Sequence, residues 1–284
     1  MRLARLLLLL AWPLSLSLKA QVDVEGTLNK AFKKGDYLTA VSPVAWRPGL
    51  NLLVGIAPVG QPLPITVQLS VGTSYTFIGT AATEAAIIDL HLTGLGNGSL
   101  IAADTADDAT PIIEFTPLRS GAYTLHLTTR AANDSTISLG LALLQRGGVD
   151  LPDREYALTA EGFFGGSKAL RKATNGLSWA KQAPVWCVLG ALPATDQTVR
   201  VSLEKIAIPA ASYTIAASSL NKQANLNLYL IDEAGKVVAD SGLTSAYPLL
   251  NYQNSRQGRY DIYLKSEQTR ESAFTLLGIY RREL

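Results

Sequence analysis

Ile88-Asp89-Leu90-His91-Leu92 alternates apolar and polar residues, and Leu226-Asn227-Leu228-Tyr229-Leu230 repeats the alternation 138 residues later. A period of two is the mark of a strand with one face on a core and one turned outward. Working outward, Ser74-Tyr75-Thr76-Phe77 recurs at the same shift as Ser212-Tyr213-Thr214-Ile215. Gly98 with Leu100-Ile101-Ala102 recurs, now shifted by 137, as Gly235 with Val237-Val238-Ala239. Gly121-Ala122-Tyr123-Thr124-Leu125-His126-Leu127 recurs at that shift as Gly258-Arg259-Tyr260-Asp261-Ile262-Tyr263-Leu264. A near-constant shift in constant order implies one unit laid down twice. A period this long means two domains rather than a solenoid.

Turn residues separate the alternating runs: Gly94 to Gly98, Ser120-Gly121, Asp232 to Gly235 and Gln257-Gly258. Short strands at this spacing predict an all-β fold of two tandem jelly-roll-like β-sandwich domains. A short helix is expected before each, over Thr27–Phe32 and Ser167–Ala173, where a cap residue precedes apolar positions at helical spacing. Glu25-Gly26 is matched with Glu161-Gly162. The expected division is 21–146 for the first unit, 147–154 for a linker holding Gly147-Gly148 and Leu151-Pro152-Asp153, and 155–284 for the second.

Residues 1–20 read as a signal peptide. Arg2 and Arg5 precede an apolar run from Leu6 to about Leu18, and Ala20 offers a small residue before a cut. The run is too short to span a bilayer. The protein is therefore expected in a periplasm or secreted. Removing Arg2, Arg5 and Lys19 from 25 basic residues leaves 22 against 23 acidic ones. So balanced a chain has no electrostatic reason to seek nucleic acid or an anionic membrane. The single cysteine, Cys187, sits in the apolar run Trp186-Cys187-Val188 and reads as a small buried hydrophobe. Trp46, Trp179 and Trp186 fall outside the repeated core and are expected to anchor the N-terminal sections.

His91 and His126 are the only histidines, each at an outward strand position whose counterpart is a tyrosine, Tyr229 or Tyr263. A position that takes His or Tyr reads as a half-exposed aromatic rather than a zinc ligand. If their strands are neighbours, these four make an aromatic face for a protein or polysaccharide partner. No nucleophile elbow or Ser-His-Asp pattern appears, so no enzyme is expected. Asp104-Thr105-Ala106 and Asp240-Ser241-Gly242 invite comparison with paired acid-protease turns, but Ala106 breaks the first copy and ordinary turns are expected. Asp89, Asp104, Asp107 and Asp108 leave calcium open, although the spacing fits no known loop. No other cofactor is expected. Asn97-Gly98-Ser99 and Asn133-Asp134-Ser135 are glycosylation sequons, of consequence only in a eukaryotic secretory path.

Taken as a series, the aromatic strand Ser74–Ile78, the strand Asp89–Leu92, the Gly98–Ala102 turn and strand, the Ser120-Gly121-Ala122-Tyr123 turn and the strand Ile137–Leu144 resemble the bacterial pre-peptidase C-terminal domain family. The second unit follows the same order from Ser212 to Tyr280. The resemblance implies an exported, non-catalytic sandwich that binds polymers or proteins. The acidic residues typical of the family's central strand are thin, since Asn227 stands opposite Asp89 in the repeat. The Ser120–Tyr123 turn is also similar to that of periplasmic lysozyme inhibitors on a related sandwich, where the turn enters the target's cleft. That makes Ser120 and Tyr123 candidates for partner binding. A plain turn is the simpler reading, and Gln257 replaces the serine in the second unit.

Overall fold

The computed structural model describes residues 22–94, 98–180, 185–192, 198–206, 211–220, 225–242, 245–254, 258–267 and 274–282. The expected signal peptide, Asn97 and Gln257 lie outside them. The first unit comprises α1 (Val24–Val41), β1 (Ala45–Trp46), β2 (Gly49–Pro58), β3 (Pro62–Leu69), β4 (Tyr75–Ala81), β5 (Ile87–Gly94), β6 (Leu100–Asp104), β7 (Ile112–Phe115), β8 (Gly121–Ala131) and β9 (Thr136–Gln145). The second comprises α2 (Asp153–Ala173), β10 (Leu177–Trp179), β11 (Val185–Leu192), β12 (Thr198–Ile206), β13 (Ala211–Ser219), β14 (Asn225–Asp232), β15 (Val237–Asp240), β16 (Leu249–Asn254), β17 (Gly258–Glu267) and β18 (Thr275–Arg282).

The alternating strands build two outer four-stranded sheets, β3-β8-β5-β6 and β12-β17-β14-β15, with the same order in both units. Ile88, Leu90 and Leu92 are fully buried while Asp89, His91 and Thr93 between them are half-exposed, and β14 shows the same pattern. The inner sheets, β7-β4-β9-β2 and β16-β13-β18-β11, repeat the order as well. They do not stay separate. β2 and β11 pair antiparallel, with Leu53 opposite Leu189 and Leu52 opposite Gly190, which fuses them into one ten-stranded sheet.

The central strands of that sheet are buried on both faces, so they read as continuous apolar runs rather than alternating ones. Every residue from Leu50 to Ala57 is buried. Leu53, Ala57, Leu139, Leu141 and Leu143 face the outer sheets. Leu52, Val54, Ile56, Ala142 and Leu144 face the helices. The molecule is thus three layers: two helices, a shared sheet, and two outer sheets whose facing edge strands β3 and β12 touch.

The helices are longer than the expected stretches, 18 and 21 residues. Asp23 caps α1 by accepting from the Gly26 amide at 2.8 Å, four residues upstream of the cap expected at Thr27. Acidic Asp153 and Glu155 in the first turn of α2, with Arg171 and Lys172 in its last, suit the helix dipole. α2 therefore begins inside the 147–154 segment, whose Val149 also bridges to Trp46. Burial aligns Val24, Thr27, Leu28, Ala31 and Gly35 with Tyr156, Thr159, Ala160, Phe163 and Ser167, each pair 132 residues apart. The Glu25-Gly26/Glu161-Gly162 match is therefore out of phase by one helical turn. Gly35 is required by close packing, because a Cβ there would strike the Trp46 ring.

Trp46 and Trp179 anchor the helical layer, Trp46 stacked on Phe32 at 5.4 Å and Trp179 on Tyr280 at 4.6 Å. Trp186 faces the other way. Its indole N–H crosses from the second unit to the Pro64 carbonyl of the first at 2.7 Å. A second tie joins the helices: Phe32 and Tyr156 stack at 3.6 Å, and the Tyr156 hydroxyl donates to Asn29 Oδ1 at 2.7 Å.

Candidate functional site

The outward positions of the outer sheets bring the sequence candidates together in pairs. His91 stands directly across from His126 on β5 and β8, and Tyr229 directly across from Tyr263 on β14 and β17. Cross-strand neighbours at this register have Cβ atoms about 5 Å apart. All four side chains are half-exposed. Both outer sheets pack on one face of the shared sheet, so both pairs lie on the same side of the molecule, opposite the helices.

Hydrogen bonds hold the rings upright. His126 Nε2 lies 3.2 Å from Thr93 Oγ1, and the Thr93 hydroxyl also donates to the Thr124 carbonyl at 3.3 Å. Around the histidines the face is rich in hydroxyls, with Thr66 and Thr124 in contact at 3.3 Å. In the second unit Asn227 Nδ2 donates to the Tyr229 hydroxyl at 2.8 Å, and Asn227 Oδ1 accepts from Ser241 at 2.6 Å. The first pair is basic and the second neutral, on one shared frame.

The remaining candidates are tied into the chain itself. Ser120 Oγ accepts from the Val71 amide at 2.9 Å, and the Tyr123 hydroxyl donates to the Arg119 carbonyl at 2.8 Å. The Tyr123 ring packs edge-on against Phe115. Asp104 accepts from the Ala106 and Ile112 amides, and Asp240 from the Gly242 amide. These two carboxylates cap turns at opposite ends of the outer layer, on β6 and β15, so they share no proton. Asp108 caps its own turn through the Thr110 amide, while Asp107 and Asp89 pair with Arg130 at 2.7 and 3.4 Å. Among the described residues no three His, Cys, Asp or Glu side chains gather as a metal site.

Sequence reasoning passed over concave places on the helical side. A groove of about 830 Å³ runs between α1 and α2, floored by Phe32, Tyr156 and Phe164. Asp36 and Asp153 both line it, and burial, then the charges of Asp153 and Asp150, push the Asp36 carboxyl upward. Nothing local in the sequence pairs these residues, because the β2–β11 joint sets the helices side by side.

No family model and no curated protein matches the sequence. Among solved structures, the chain is similar to the tandem CBM51 modules of a family 98 glycoside hydrolase from Streptococcus pneumoniae, with 11% identity and a TM-score of 0.29 over 81% of this chain and 84% of that one. It is also similar to the tandem CBM22 modules of a Paenibacillus barcinonensis protein, with 9% identity and a TM-score of 0.24 over 86% and 81%. A conserved Pseudomonas aeruginosa protein of unknown function gives 12% identity and a TM-score of 0.20 over 81% and 80%. At these values the architecture rests on the chain's own strand pairing. No described helix is long and apolar enough to cross a membrane.

Proposed function

We propose that this chain is an exported, non-catalytic binding module that presents the outer faces of its two sandwiches to a protein or an envelope polymer. The observation that carries the reading is the repeated cross-strand pair, His91/His126 and Tyr229/Tyr263, at one register of two sheets on one side of the molecule. Rings in such rows offer flat apolar area at low entropic cost, with polar tips for orientation. The leader-like residues 1–20 support export, and the pre-peptidase-like series of motifs supports the same class. Both histidines stand facing each other across an outward pair, an arrangement that supports the binding reading. The inhibitor alternative rests on the Ser120–Tyr123 turn, whose two hydroxyls are engaged within the chain.

The test is recovery from an envelope extract by the mature chain and by a Tyr229→Ala/Tyr263→Ala double variant. The reading expects a protein or an insoluble polymer to be retained by the former and lost by the latter. Equal retention by both would remove the outer face from consideration. Recovery of one hydrolase at equal stoichiometry, with its activity blocked, would favour the inhibitor.

A further inference from the structure

On the side of α2 away from α1, the helical layer leaves part of the shared sheet uncovered. Two adjoining hollows of about 210 and 580 Å³ lie there, with Leu170 and Leu249 in the walls of both. The smaller is apolar, walled by Phe163, Pro248 and Tyr247, whose ring is 57% exposed. The larger runs over a ladder of hydroxyl and amide side chains. Ser212 stands across from Gln253, and Thr214 across from Asn251. Thr214 Oγ1 donates to Asn251 Oδ1 at 2.8 Å, which leaves the Asn251 amide N–H groups to donate elsewhere. Among the described residues no carboxylate lines either hollow, and Arg282 is the one charged residue there.

The first unit shows what has been removed to open this space. At the helical alignment set by burial, Lys30, Lys33 and Lys34 of α1 correspond to Gly162, Gly165 and Gly166 of α2. Lys30 reaches over the end of β4 to the Ala82 carbonyl at 2.8 Å and to Glu84 at 3.1 Å. Gly162 and Gly166 instead line the smaller hollow, and a Cβ on either would meet nothing within 4 Å. Ala216 stands where the first unit has fully buried Ile78, and Asn251 where it has Glu114. Glycine inside a helix costs stability, and here no neighbour among the described residues uses the room. Volume and charge have both been taken away at one place.

We infer that this trough binds an uncharged oligosaccharide. A pyranose presents an apolar C–H face and a rim of hydroxyls, which the Tyr247 end and the Ser212–Gln253 and Thr214–Asn251 ladder complement in turn. Among the described residues the wall offers a cationic ligand no carboxylate, and a single arginine does not make a polyanion site. The inference names a ligand class for the polymer arm of the reading above, at a second place on the molecule.

Calorimetry with the mature chain tests it, using hexaoses of β-1,4-linked glucose, xylose and N-acetylglucosamine, and oligogalacturonate as the acidic comparison. At least one neutral hexaose is expected to bind. Asn251→Ala and Ala216→Ile should each weaken it by roughly tenfold or more. Gly162→Leu should do the same without lowering the melting temperature, since leucine favours helix. Glu84→Ala, an exposed change on the first unit away from the trough, should leave it unchanged. The inference is overturned if no neutral hexaose binds, if only oligogalacturonate binds, or if the trough variants bind as well as the parent. Glycan binding lost only in the tyrosine double variant would move the ligand to the outer face, sparing the proposed function and removing the trough.

Discussion

Cys187 lies on β11 with none of its surface exposed, and burial pushes its thiol up to about 12. It should fail to react with a thiol reagent at pH 8 until denaturant is added, which an absorbance assay reads directly. Tyr213 and Tyr280 are likewise pushed up to about 12, in both cases chiefly by burial. Their folded values stand above the ordinary tyrosine value of about 10. The stability they contribute is therefore complete below pH ~10 and is lost as pH rises through their folded values. Circular dichroism should show alkaline unfolding in that window, and a fold unchanged well above it would contradict the burial of these rings. The burial of Cys187 is legible from its apolar flanks. The aromatic pairs were half legible: alternation set their outward direction, while the strand pairing that joins them is a long-range fact no local pattern carries.

The elements that sequence read well were those with one wet face. β5, β8 and β14 alternate because water and core lie on opposite sides, and that contrast is written residue by residue. β2 and β9 are covered twice, so their apolar runs reveal burial but neither direction nor neighbour. The helices were underestimated for a related reason: α2 carries three glycines within six residues, Gly162, Gly165 and Gly166, which argue locally against a helix. Those glycines give a paired prediction. Gly165→Ala should stabilise the protein by about 0.5–1 kcal/mol, because its Cβ would meet nothing within 4 Å. Gly35→Ala should destabilise it by about 1–3 kcal/mol, because the Trp46 ring occupies that space. Chemical denaturation separates the two signs. The Asp23 cap should be worth about 1 kcal/mol in Asp23→Ala.

At the scale of the molecule, duplication has produced two topologically matched sandwiches that no longer stand alone. The β2–β11 joint, the Trp186–Pro64 bond and the Phe32–Tyr156 stack tie the halves through all three layers. The segment 147–154, expected from composition to be a linker, has Val149 bridged to Trp46 and Leu151 buried. Scanning calorimetry should therefore show one unfolding transition rather than two. Hydrogen exchange resolved along β2 and β11 addresses the shared sheet most directly. Amides from Leu52 to Ile56 and from Val188 to Gly190, paired on both sides, should exchange as slowly as those of central β9. Fast exchange at alternate amides of β2, the signature of a strand bonded on one side only, would show that the two sandwiches are separate bodies.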